Sequence, residues 1–212
     1  MPNWTNNTIT VSGSVDDIEK FEEDRIAALK EFGCDPEQFI TFNMVLPMPS
    51  ELKGTHSPRK RKVAKIHQMA EQHNWAADTV QWHLDNALTD EEEARLDEIK
   101  ARLGYDNWYD WCNDKWGTKW DACHSEYSKD GELVTIRFDT AWSEPQPVIR
   151  ALVRKYPTLR FTHSFFHEDS SDTITCMNYR MENGEMEASF SVETNRMDYL
   201  PIEEVDEMIG HL

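Results

Sequence analysis

Between residues 105 and 122 the chain places four of its eight tryptophans, Trp108, Trp111, Trp116 and Trp120. Each tryptophan brings about 150–250 Å² of surface to bury, so this stretch must fold onto something larger than itself. The spacing predicts a short helix over residues 106–116, a glycine hinge at Gly117, and extended chain leading into a core strand. On such a helix Trp108, Trp111, Cys112 and Lys115 share one face, and Tyr105, Tyr109 and Trp116 an adjoining one. Beyond the hinge Trp120, Ala122 and His124 alternate with Lys119, Asp121 and Cys123. That alternation sets Lys119 and Asp121 on the surface as a pair. Exposed indoles can stack nucleobases; buried ones can lock a helix to a sheet. The helix, hinge and strand order favours packing.

The flanking chain supplies a candidate sheet. Residues 3–12 read as a strand rich in threonine. A helix follows, capped by Ser14 with Asp16 and Asp17 in its first turn, and ended at Gly33. The apolar run 39–46 predicts a second strand, stopped by Pro47 and Pro49. Residues 50–105 turn polar and helical. A helix start is expected at Ser57-Pro58, an apolar stripe at Val63, Ile66, Met69 and Ala70, and a capping box at Thr89 and Glu92. After the tryptophans come a turn at Lys129-Asp130-Gly131, a strand over 133–142, a helix opened by Pro145 and Pro147, and a strand over 159–166. A hairpin follows around Asn183-Gly184, with strands 174–181 and 186–192 and then a short C-terminal helix from Pro201. The order is β-α-β, insertion, β-β-α-β, β-β. It predicts an α+β fold with a ferredoxin-like split β-α-β core: an antiparallel sheet, both long helices on one face, a helical insertion and a C-terminal β-hairpin. The expected domains are 1–49 with 106–212, and the insertion 50–105.

A net charge of −18 argues against binding duplex nucleic acid and favours basic partners. No apolar run approaches the roughly 18 residues that span a bilayer, and the N-terminus is polar, so no membrane segment or signal peptide is expected and the chain reads as cytoplasmic. Cys34, Cys112, Cys123 and Cys176 form no Cys-x-x-Cys pair and read as reduced thiols. His163 and His167, four apart on a strand, would lie about 13 Å apart, too far to share an ion. His67 and His73 face different ways on a helix. No metal site, cofactor or catalytic set is expected: there is no Gly-x-Ser-x-Gly, no phosphate-binding glycine loop, and Cys112 lies among the tryptophans.

The one dense basic run, Lys53, Arg59, Lys60, Arg61, Lys62 and Lys65, contains no acid between its ends. Placed in the first turns of a helix, Arg59, Lys60, Arg61 and Lys62 would oppose the dipole, yet with the free N–H groups they would suit an anion. With Lys115 and Lys119 at the rim of the tryptophan stretch they are the candidate ligand-binding residues. The other reading is a solvated helix end paired with the acidic bulk of the chain.

Pro47-Met48-Pro49 with Glu51-Leu52, then Trp111, then Trp116-Gly117-Thr118-Lys119-Trp120-Asp121-Ala122 together resemble the YubB-type ferredoxin-like family of phage and plasmid proteins, also called Api-like phage proteins. The resemblance runs from Asn3 to about Phe166, with the insertion and the last fifty residues fitting loosely. In it Trp111, Trp116, Gly117, Thr118, Trp120 and Asp121 are motif residues with a structural role. The resemblance implies an accessory protein of a mobile element in a bacterial host cytoplasm, and no catalytic residues. The expectation is a non-enzymatic protein that binds a host bacterial protein through its acidic surface and so inhibits a host or defence process. The alternative is a protein that sequesters a small nucleotide-type anion.

Overall fold

A computed structural model of the chain describes residues 3–168 and 173–194. Its elements are β1 (Trp4–Ser12), α1 (Val15–Glu31), α2 (Val63–His73), α3 (Ala77–Asp85), α4 (Asp90–Leu103), α5 (Trp108–Lys115), β2 (Cys123–Asp130), β3 (Leu133–Ala141), α6 (Gln146–Lys155), β4 (Arg160–His167), β5 (Thr173–Glu182) and β6 (Glu185–Thr194). The strands form one sheet in the order β2-β3-β1-β4-β5-β6, antiparallel at every pairing. The first four strands, with α1 and α6 as the two crossovers, make a ferredoxin-like split β-α-β arrangement of the α+β class. The hairpin β5–β6 extends the sheet beyond β4. The expected C-terminal helix lies outside the described residues. Among the described residues no helix is long and apolar enough to cross a membrane.

The second strand of the core is not the apolar run 39–46. That run is irregular, with a single 3-10 turn at Phe42–Met44, and the second strand is β2. The insertion therefore falls between α1 and β2, not between the second and third strands. An apolar run without a period of two or 3.6 leaves its backbone state open, and here polar contacts decide it. Thr41 caps the turn by accepting from the Asn43 N–H, and the Asp121 carboxylate takes the Phe42 N–H at 2.7 Å. The run is still buried, with Ile40, Phe42 and Met44 inside. Phe42 meets Trp116 and Phe138 edge to face.

The helix-side face of the sheet follows from register. Ile9 and Val11 of β1 stand beside Ile136 and Val134 of β3, and Val11 also beside Phe161 of β4. Phe21 of α1 packs on Phe161 and Tyr156, and Val148, Ile149, Leu152 and Val153 supply the inner stripe of α6. Each such side chain contributes about 1.5–3 kcal/mol when fully buried.

Among the described residues, Thr5, Asn7, Thr140 and His163 bring polar groups to this buried face. His163 is fully buried, and its Nε2–H donates to Asn7 Oδ1 at 3.0 Å. Asn7 in turn donates to Thr140 Oγ1 and the Thr5 carbonyl. Burial pushes the His163 imidazole down to about 3, from an ordinary value of about 6.5. The unfolded chain then binds a proton that the folded chain refuses. His163 thus lowers stability as pH falls below about 6.5, by about 2–3 kcal/mol by pH 4.5. His163→Gln, which keeps a donor toward Asn7, is expected to shrink the stability difference between pH 7 and pH 4.5 by about 2 kcal/mol, read from urea unfolding at both pH values. An unchanged difference would assign the acid sensitivity to other groups.

The chain divides into two compact units, Met1–Leu46 with Trp116–Leu212, and Pro47–Lys115. In the second, α4 begins with the expected capping box at Thr89 and Glu92. The expected helix start at Ser57-Pro58 is not used: α2 begins at Val63, with Lys62 at the N-cap position and no side-chain capping bond. Residues 59–62 instead run outside helix, held by ion pairs described below. The helix α5 is shorter than residues 106–116, because Asn107 accepts the Asp110 N–H and caps it two residues in.

Candidate functional site

The Trp-Gly-Thr-Lys-Trp-Asp block is where the first unit is tied together. Trp116 is buried and donates its indole N–H to the Leu46 carbonyl at 2.8 Å. Gly117 holds a φ of +80°, and a Cβ there would lie 2.8 Å from Pro147 Cδ. Its carbonyl accepts from Ser143 Oγ at 2.5 Å. Buried Thr118 donates to the Ala141 carbonyl at 2.8 Å. Asp121 takes Phe42 N–H, Ala122 N–H, Thr41 Oγ1 and Asn43 Nδ2. Burial pushes its carboxyl up from the ordinary aspartate range, while those four hydrogen bonds pull it down. Three regions, the 41–46 turn, the end of β3 and the start of α6, are thus fixed by Trp116, Gly117, Thr118 and Asp121.

The expected surface pair of Lys119 and Asp121 does not form. Asp121 turns inward to its four donors, and Lys119 lies with Nζ 4.3 Å from the centre of the Trp120 ring. Alternation fails because regular strand begins only at Cys123 and is bulged between Cys123 and Glu126.

Around this block an aromatic corner closes one end of the sheet. Trp4, at the start of β1, meets Trp120 at 6.2 Å and His124 edge to face at 5.1 Å. His124 bonds Asp139 at 3.0 Å through Nδ1, and Asn6 donates to the other oxygen of Asp139 at 2.5 Å. Trp142, just past β3, donates its N–H to the Asn3 carbonyl and is 56% exposed. His124 and Trp142 both hold positive φ, +47° and +77°. For a bulky residue that is an outlier which the surroundings must hold in place.

With this geometry in view, comparison with known proteins is informative. Residues 115–208 match a family model described as a ferredoxin-like domain in Api92-like protein. The match starts at the tryptophan block and takes in the C-terminal hairpin, the part expected to fit loosely; it leaves out the N-terminal residues expected to fit well. A crystal structure of a protein api92 from Yersinia pseudotuberculosis is also similar, with a TM-score of 0.42 and 10% identity, over 95% of this chain and 100% of that one. No curated protein sequence matches. Inside the Api92-like stretch lie Trp116, Gly117, Thr118, Trp120, Asp121, His124, Asp139 and Trp142; outside it lie Trp4, Trp111 and the basic run.

The basic run is engaged within its own unit. Arg59 pairs with Asp97 at 2.9 Å and Asp106 at 3.4 Å, Lys60 with Glu92 at 3.2 Å, and Lys62 with Asp90 and Glu93. Arg61 accepts the Leu88 N–H at its carbonyl. The first turn of α4, Asp90 to Glu93, is thereby matched with cations. Lys115 pairs with Asp114 at 3.0 Å and lies over the Tyr105 ring. Trp111 and Cys112 of α5 are buried. Of the sequence-predicted residues, Lys119 and Trp120 lie at the corner, Asp121 is turned to the 41–43 segment, and Arg59 to Lys62 and Lys115 belong to the other unit. Asp139 and Trp142 escaped the sequence reading, in which Trp4 and His124 figured only as strand residues. The available signal was a tryptophan at each end of two strands that pair as neighbours.

Proposed function

We propose that this is a phage- or plasmid-type accessory protein that works without catalysis, by binding a host bacterial protein through its acidic surface. The observation that carries this reading is the fate of the basic run. In a chain of net charge −18, Arg59, Lys60 and Lys62 are paired with carboxylates of the same unit, so the surface offered to a partner is dominated by acid. Such a field attracts basic surfaces and repels phosphates. The same pairing weakens the alternative, sequestration of a nucleotide-type anion, since Arg59, Lys60, Lys62 and Lys115 among its candidate cations are already paired with carboxylates. The immobilised protein is expected to retain a stoichiometric basic protein from bacterial lysate in about 50 mM salt and to release it in about 500 mM, where screening shortens the field. Retention of none, or a nucleotide released on denaturing the purified protein, would reject the reading.

A further inference from the structure

Beyond that reading, we propose that an open cavity at the end of the sheet remote from Trp4 binds a small zwitterion whose ammonium and carboxylate stand about 8 Å apart. The cavity holds about 550 Å³ and is lined by Asp130, Glu132, Leu133, Ser12, Thr158 and Arg160. Strand register places its charges. Asp130 of β2 stands beside Leu133 of β3, Leu133 beside Ser12 of β1, and Ser12 beside Arg160 of β4. The four residues form one row across four strands. Ser12 follows Val11 of the helix-side face, so the row belongs to the other face. Three strand spacings set the ends of the row, Asp130 and Arg160, about 14 Å apart, too far for the two charges to pair. Among the described residues, no ion pair or side-chain hydrogen bond engages Asp130, Glu132 or Arg160. A ligand that carries both charges can serve both ends. A charge-assisted hydrogen bond takes up about 3 Å at each end, which leaves about 8 Å, the span of an ammonium and a carboxylate joined by an extended chain of about five methylenes. Leu133, in the middle of the row and 37% exposed, offers apolar surface to such a chain. A phosphate or an alkylamine would meet one end only. The Arg160 side is also set before binding. Ser14 bonds Asp17, which also bonds Thr158, and Gly13, also in the lining, lies so close to Leu159 that a Cβ would stand 2.4 Å from its Cδ2. A wall held in this way loses little freedom on binding.

The test titrates 6-aminohexanoate, 3-aminopropanoate, hexylamine and hexanoate into the full chain at low salt and follows backbone amide resonances. The amides of Gly13 and Leu133 are expected to shift with 6-aminohexanoate, and that of Gly184, in the β5–β6 turn, to stay. 6-Aminohexanoate is expected to bind about fivefold more tightly than hexylamine or hexanoate, the worth of one exposed ion pair, and more tightly than the shorter 3-aminopropanoate. Arg160→Gln is expected to remove the advantage over hexylamine while leaving hexylamine itself unaffected. Asp130→Asn combined with Glu132→Gln is expected to remove the advantage over hexanoate. These three side chains are exposed, and the ligand series on the unaltered chain decides by itself should a variant unfold. Equal affinity for 6-aminohexanoate and hexylamine, or for the long and the short zwitterion, would overturn the proposal. So would an advantage that survives Arg160→Gln, or no binding of 6-aminohexanoate. The lysate retention above decides the partner reading separately.

Discussion

Replacing Gly117 by valine is expected to cost about 4 kcal/mol or more, a large part of the roughly 5–15 kcal/mol that holds a domain folded. Two effects add. The left-handed φ of +80° costs an L-residue about 1–2 kcal/mol, and more when it is β-branched. The new Cβ would also stand 2.8 Å from Pro147 Cδ and 3.3 Å from the Glu144 carbonyl oxygen. Neither is the loose end of a flexible side chain, and overpacking of this kind costs about 1–3 kcal/mol. Gly117→Ala is expected to lose about 3 kcal/mol on the same reasoning. Gly104 provides the comparison: its φ is +84°, and nothing lies within 4 Å of its would-be Cβ. Gly104→Ala should therefore show the conformational part alone, about 1 kcal/mol. Urea unfolding of the three variants measures the difference. If Gly117→Ala and Gly104→Ala lose the same amount, the close approach of the Pro147 ring has no energetic weight.

Asp121→Ala is the second large effect, at about 3 kcal/mol. The carboxylate accepts Thr41 Oγ1 at 2.6 Å, Phe42 N–H at 2.7 Å, Ala122 N–H at 2.8 Å and Asn43 Nδ2 at 3.1 Å. Thr41 and Phe42 are buried, so removing the acceptor strands donors away from water, at about 1–3 kcal/mol for each one left unmade. Asp121→Asn keeps one oxygen and turns an NH₂ toward donors, so its loss should fall between wild type and alanine. Amide hydrogen exchange gives a local readout, since the Phe42 N–H should lose protection in Asp121→Ala while Ile9 and Val11 keep theirs. Equal protection of Phe42 in both proteins would show that Asp121 does not hold the 41–46 turn.

The two variants also mark what could be read from the amino-acid order. The strands around Ile136 and Phe161 were legible because alternation reports a half-buried sheet directly. The helix after Ser14 was legible because a capping residue, an acidic first turn and a terminal glycine agree. Residues 39–46 were not, because their state depends on Asp121, a residue far along the chain that takes the Phe42 N–H. The helix start at Ser57-Pro58 failed for a similar reason. Local capping rules favoured it, while ion pairs from Arg59, Lys60 and Lys62 to α4 held the segment extended. Trp120 was visible as part of a motif, but the conformation of Trp142 was not, since nothing in a Trp-Ser-Glu sequence announces a positive φ. That conformation is imposed by Asn3, Gly117 and Thr118.

The bond from the Trp116 indole to the Leu46 carbonyl has a consequence for how such a chain changes over time. It holds side by side the two places where the sheet-bearing unit is interrupted. Whatever sequence is spliced between them leaves and rejoins at one doorway, and closing a longer loop there costs only a term in the logarithm of its length. The pairing of β1 with β3 and β4 is made wholly by residues on the sheet side of that doorway, so the length of the segment 47–115 enters the sheet's formation as a closure cost.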